Sequence, residues 1–90
     1  MMLSKDQIKS ILLKTINEII PEKKIETLEE SFISEDSKIE SIEVAQIIVR
    51  IEELLSESGI EGYDLFEKLF AQKNLTFESL IDLIYQDLSG

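Results

Sequence analysis

With no histidine and no cysteine in ninety residues, this chain must do any chemistry with carboxylates, hydroxyls and lysines. Serine triads, histidine bases, thiolate nucleophiles, disulfides and the common zinc sites are excluded. Two carboxylates can serve as acid and base where an apolar cleft raises one pKa, but the acids here are spaced for solvated helix faces. A calcium loop beginning at Asp36 fails: Lys38 stands where an oxygen ligand is required, and Ser41 takes the place of the sixth-position glycine. Neither a catalytic residue nor a metal site is expected, and the chain is read as a non-enzyme. What remains is a side chain that receives a group. Two serines in the run DSKIESIEV, Asp36 to Val44, compete for that role. Ser37 and Glu40 fit the capping box, in which a serine hydroxyl and a glutamate three residues on satisfy orphan amides. Ser41 has no such use, and reads either as a plain helix-surface serine or as a point of attachment.

These serines must be positioned by helices. Ser4 to Gln7 forms a capping box, followed by Ile8, Ile11, Leu12, Ile16, Ile19 and Ile20 at helical spacing until Pro21 ends the pattern. A second long helix is expected from Glu40 to Glu57. Its inward stripe is Ile47, Ile48, Ile51, Leu54 and Leu55, and Glu43, Gln46, Arg50, Glu53 and Glu57 lie opposite. Gly59 supplies its exit. A short helix from about Asp64 to Gln72 would carry Leu65, Phe66, Leu69 and Phe70, with both phenylalanines read as core. Thr76 caps a last long helix with the stripe Phe77, Leu80, Ile81, Ile84 and Leu88. The segment from Pro21 to about Lys38 has no period, but Ile25, Leu28, Phe32 and Ile33 can anchor it as a long connection across a bundle. No strand pattern survives comparison with the helical one. The expectation is one all-α domain, residues 1–90: three long helices, one short one and a long first loop.

The net charge of −10 makes nucleic acid and anionic membrane poor partners and a basic protein surface a good one. Its location is more telling than its size. From Glu26 to Asp64 twelve acidic residues face Lys38 and Arg50 alone, and elsewhere seven of each sign balance. The charge therefore surrounds the two serines. The opening residues lack the apolar core of a signal peptide and no run approaches bilayer-spanning length, so a cytoplasmic monomer without membrane insertion is expected.

The segment SFISEDSKIESIEVAQIIVRIEELL, Ser31 to Leu55, resembles the region around the prosthetic-group serine of acyl carrier proteins. In that family an Asp-Ser-Leu motif opens the second helix and its serine carries phosphopantetheine. The counterpart here is Glu40-Ser41-Ile42. The likeness extends through Phe32 and Ile33 upstream, Glu52-Glu53 downstream and NLTFESLIDLI at the last helix, covering nearly the whole chain at modest identity. It implies an antiparallel four-helix bundle of the acyl-carrier type, with phosphopantetheine esterified to Ser41 by a phosphopantetheinyl transferase. The arm's thiol, which this cysteine-free chain lacks, would hold acyl or aminoacyl groups as thioesters for partner enzymes with basic docking patches. By the same resemblance Glu40 and Glu43 flank the serine as docking acids, Ile42 and Val49 fill shallow partner pockets, and Glu53 and Glu57 extend the acidic stripe.

The departures point to a specialised carrier more than to a housekeeping fatty-acid one. Glu40 and Ile42 replace aspartate and leucine, the glycine usual two or three positions before the serine is missing, and Gln46 and Arg50 interrupt the stripe. A different class of function fits the same residues. A helical adaptor that never takes the arm would bind a basic protein through the acidic face of the second helix. Without the resemblance, that stripe reads as a solvated face, and Ile42 and Val49 as marginal core; with it, Phe66 and Phe70, read as core, also line the space where an acyl chain could fold back.

Overall fold

The computed structural model describes residues 3–23 and 25–89, and over these the chain is mostly helical with one small sheet. The first helix, α1 (Lys5–Ile19), opens on the expected reciprocal cap. Gln7 N–H donates to Ser4 Oγ at 3.2 Å, and Ser4 N–H donates to Gln7 Oε1 at 2.8 Å. Ile8, Leu12 and Ile16 are buried along it. Thr15 lies in the same stripe because its hydroxyl donates to the Ile11 carbonyl at 2.8 Å, which removes the cost of burying it. At Ile20 the backbone leaves helical geometry, as the residue before a proline must.

One carboxylate gathers the first part of the connection to the next helix. Glu30 Oε2 accepts from the amides of Glu26 at 2.6 Å and Thr27 at 3.2 Å, while Glu30 Oε1 pairs with Lys38 Nζ at 3.0 Å. Lys38 and these amides hold the Glu30 carboxyl below the usual carboxylate range. The connection then runs as a short strand, β1 (Ser31–Ile33). Helix α2 (Ser41–Glu57) follows, with Ile47, Ile48, Ile51, Leu54 and Leu55 buried. It ends in a Schellman arrangement: Ile60 N–H donates to the Leu55 carbonyl at 2.9 Å and Gly59 N–H to that of Ser56 at 3.0 Å, with Gly59 at φ +96°.

Beyond it come a short helix, α3 (Leu65–Leu69), a second strand, β2 (Leu75–Thr76), and α4 (Phe77–Ser89). Thr76 Oγ1 accepts from Ser79 N–H at 3.1 Å, as expected of a cap. The first amides of α4 are satisfied from the long connection: Phe77 N–H donates to the Glu30 carbonyl at 3.1 Å and Glu78 N–H to that of Leu28 at 2.9 Å. Helix α1 packs on α2 and α4, and α2 packs on α3. The buried core joins their inner faces to Phe32, whose ring lies 5.5 Å from that of Phe77 at a tilt of 47°.

Three expectations need correction. Strands are present: β1 pairs antiparallel with β2, Ser31 opposite Thr76 and Ile33 opposite Leu75, with an irregularity between them. Segments of three and two residues are too short to show a period of two. Helix α3 stops at Leu69, short of Gln72. Because it is so brief it buries Leu65 and Leu69 and leaves Phe66 and Phe70 outside the core, 44% and 84% exposed.

Candidate functional site

Ser37 and Ser41 are separated by what their hydroxyls do. Ser37 does not cap α2. Its Oγ lies 3.0 Å from the Ser31 carbonyl oxygen and 3.2 Å from that of Phe32, positioned to donate to either, and it accepts from Ile39 N–H at 3.1 Å. That serine is a clasp within the connection, fixing β1 against the approach to α2. Ser41 is the first residue of α2, is exposed, and its hydroxyl has no partner among the described residues.

The helix start is fixed from the other side. Glu40 occupies the cap position in extended geometry, and its N–H donates to Glu43 Oε1 at 3.0 Å. The same carboxylate is paired with Lys23, whose ammonium also donates to the Lys38 carbonyl. Lys23, and then the Glu40 amide, hold the Glu43 carboxyl below the usual carboxylate range. The side chain of Glu43 is 17% exposed. Its geometry is that of a strut holding the connection to the start of α2, and less of its charge faces outward than the sequence suggested. Lys23 gave no signal in the sequence, because the residue it meets lies twenty positions away.

The remaining expected docking residues lie along α2. Glu40, Ile42, Val49, Glu53 and Glu57 are all exposed, Ile42 to 66% and Val49 to 48%. Ile42 and Val49 line one shallow groove together with Ile19, Ala45 and Gln46. The charge at its far end is partly neutralised within the chain. Arg50 Nε binds Glu18 of α1 at 2.9 Å, its guanidinium lies 3.4 Å from Glu53 and 3.8 Å from Glu57, and it holds the Glu18 carboxyl low. Such exposed pairs contribute little to stability, but they reduce the field the stripe presents.

On the other side of Ser41 the structure opens a groove of about 460 Å³, in the size range of small-molecule sites. Ser41 is at its edge, Ile39 from the approach to α2 and Val44 and Ile48 of α2 form one wall, and Phe66 of α3 and Phe70 just beyond it form the other. The α3 wall is attached to α2 by Glu52, whose Oε2 accepts from Leu65 N–H at 2.8 Å and Phe66 N–H at 3.3 Å. Asp64 caps the same turn through Glu67 N–H at 3.0 Å. Within this groove lies Ser34, which the sequence gave no reason to single out; its hydroxyl is buried without a partner among the described residues.

No three metal-ligating side chains cluster among the described residues, and no helix there is long and apolar enough to cross a membrane. No family model matches the chain, and neither the curated proteins nor the solved structures yield a match. The class of the protein therefore rests on its own geometry: a small, acidic, mostly helical domain with an exposed serine at a helix start beside an open apolar groove.

Proposed function

We propose that this chain is an acyl carrier, with phosphopantetheine esterified to Ser41 and an acyl or aminoacyl group held as a thioester on the arm's thiol. The supporting observation is the contrast between the two serines: Ser37's hydroxyl is engaged by the backbone, while Ser41's is exposed, unpartnered and at the edge of an apolar groove. Attachment joins Ser41 Oγ to the phosphorus of the arm as that phosphorus's pyrophosphate bond to the donor nucleotide breaks; the nucleotide leaves with its own phosphate, and the hydroxyl proton passes to the transferase. The product phosphodiester would sit beside the first amides of α2, where the helix dipole favours negative charge. The arm supplies the reactive sulfur. The chain supplies position and recognition.

Partner enzymes with basic patches would read Glu40, Glu53 and Glu57 for steering and the exposed pair Ile42 and Val49 for contact, which suits short-lived complexes. Glu43 acts in this scheme chiefly by fixing the helix start. The test is intact mass after coexpression with a broad-specificity phosphopantetheinyl transferase. The wild-type chain gains the mass of one arm, and Ser41→Ala gains nothing. Lack of any serine-dependent gain would leave the adaptor reading, in which Ser41→Ala is silent and charge reversal at Glu53 and Glu57 abolishes binding to a basic partner.

A further inference from the structure

Helix α2 begins on a weak cap. Glu40 holds the cap position, and glutamate is not among the residues that cap best. The first turn is secured by groups from elsewhere. Val44 N–H donates to the Glu40 carbonyl at 2.9 Å, closing that turn, and Glu40 N–H donates to Glu43 Oε1 at 3.0 Å. The same oxygen is fixed by Lys23, whose ammonium also donates to the Lys38 carbonyl. Lys23 is itself anchored, because its backbone N–H donates to the Ile20 carbonyl at 3.0 Å in the turn that follows α1. One ammonium thus links the end of α1, the last part of the connection and the first turn of α2. The side chains of Lys23 and Glu43 are 23% and 17% exposed, so water competes little for this pair. Ser41 lies inside the turn so held.

A hydroxyl that is to receive a group must be offered to the transferase in one conformation. Every chain whose first turn is frayed is lost to binding, and the apparent affinity falls by the fraction that remains competent. We infer, resting on the attachment reading above, that Lys23 is a positioning residue for attachment: acting through Glu43, it keeps the first turn of α2 closed so that Ser41 Oγ meets the transferase already oriented. Lys23 needs no contact with the arm or its donor for this. Once the transferase has bound, its own contacts hold the turn, so the effect falls on the KM for the carrier and spares kcat.

The test follows attachment kinetics with a broad-specificity phosphopantetheinyl transferase and coenzyme A as donor. It compares the full chain with Lys23→Met, Lys23→Arg, Glu43→Gln and the double variant Lys23→Met with Glu43→Gln, at a temperature where thermal melts show all of them folded. Lys23→Met raises the KM for the carrier roughly fivefold, the shift in population that a lost helix cap produces, with kcat nearly kept. Lys23→Arg, whose guanidinium can serve both oxygens, restores most of the loss. Amide exchange at Glu40 and Val44 accelerates in Lys23→Met and not in Lys23→Arg, while Ile51 and Leu80 stay slow in both. In the Glu43→Gln background Lys23→Met adds little, because the two residues act as one unit. An unchanged KM in Lys23→Met, or Lys23→Arg no better than Lys23→Met, would overturn the inference while leaving attachment intact. So would a full fivefold cost of Lys23→Met in the Glu43→Gln background, which would make Lys23 a direct contact of the transferase. Failure of the wild type to load at Ser41 would instead remove attachment, and this role with it.

Discussion

The four phenylalanines of this chain divide into two pairs that behave in opposite ways. Phe32 and Phe77 come from β1 and the start of α4, are fully buried, and pack ring against ring. Phe66 and Phe70 come from the region of α3 and face outward over the groove beside Ser41. The first pair is enclosed by elements tied from several directions: the β1–β2 pairing, the Ser37 clasp, and the long connection's carbonyls on the amides of α4. The second pair lies on and just beyond five helical residues, which are held by the buried Leu65 and Leu69 and by one carboxylate, Glu52. The first pair is thus built for rigidity, and the second leaves an apolar wall free to meet something outside the core.

This contrast can be broken by mutation. Phe32→Ala should lose about 3–5 kcal/mol of unfolding free energy, the usual cost of emptying an aromatic site in a core, as read by urea denaturation. A loss under about 1 kcal/mol would mean the sheet end is looser than its packing indicates. Glu52→Ala should cost about 1 kcal/mol, in the range of a lost cap, and act locally. Amide exchange at Leu65 and Phe66 should accelerate while exchange at Ile51 and Leu80 stays slow.

A pH series addresses the rigid side of Ser41. The folded Glu43 carboxyl is held below its ordinary value of 4.5 by Lys23 and the Glu40 amide, so its contribution is complete above that pH and is lost as pH falls through the depressed folded value. Glu43→Gln should therefore be less stable than the wild type near neutrality and converge with it in acid, as followed by thermal melts. A gap that stays constant with pH would show that the Lys23 pairing is not what fixes the helix start. The smallest effect belongs to Phe70→Ala, which should change stability by no more than about 0.5 kcal/mol because the ring is exposed. In a loaded carrier the same variant should show altered amide shifts along the groove.

The long helices were legible because each repeats a buried stripe often enough for its period to show. Ile8, Leu12 and Ile16 in α1, Ile47, Ile51 and Leu55 in α2, and Leu80, Ile81 and Ile84 in α4 are all buried. Phe66 and Phe70 misled for the same reason: spaced four apart beside Leu65 and Leu69, they continue a helical pattern that α3 is too short to bury on both sides. The strands escaped because two or three residues carry no period. At the candidate site the sequence isolated two serines but could not separate them, since a capping box is a local pattern and Ser37's contacts lie five and six residues back in β1.

The amino-acid order alone established a small acidic chain without cysteine or histidine, with long amphipathic helices and its negative charge gathered around Ser37 and Ser41. Composition and short-range periodicity suffice for that, because helix formation answers to neighbours three and four residues away. Tertiary structure decided which hydroxyl is left free, that Lys23 takes Glu43, and that two phenylalanines wall a groove. Each of these depends on groups distant in the chain meeting across a packed interior, and local spacing holds no record of such encounters.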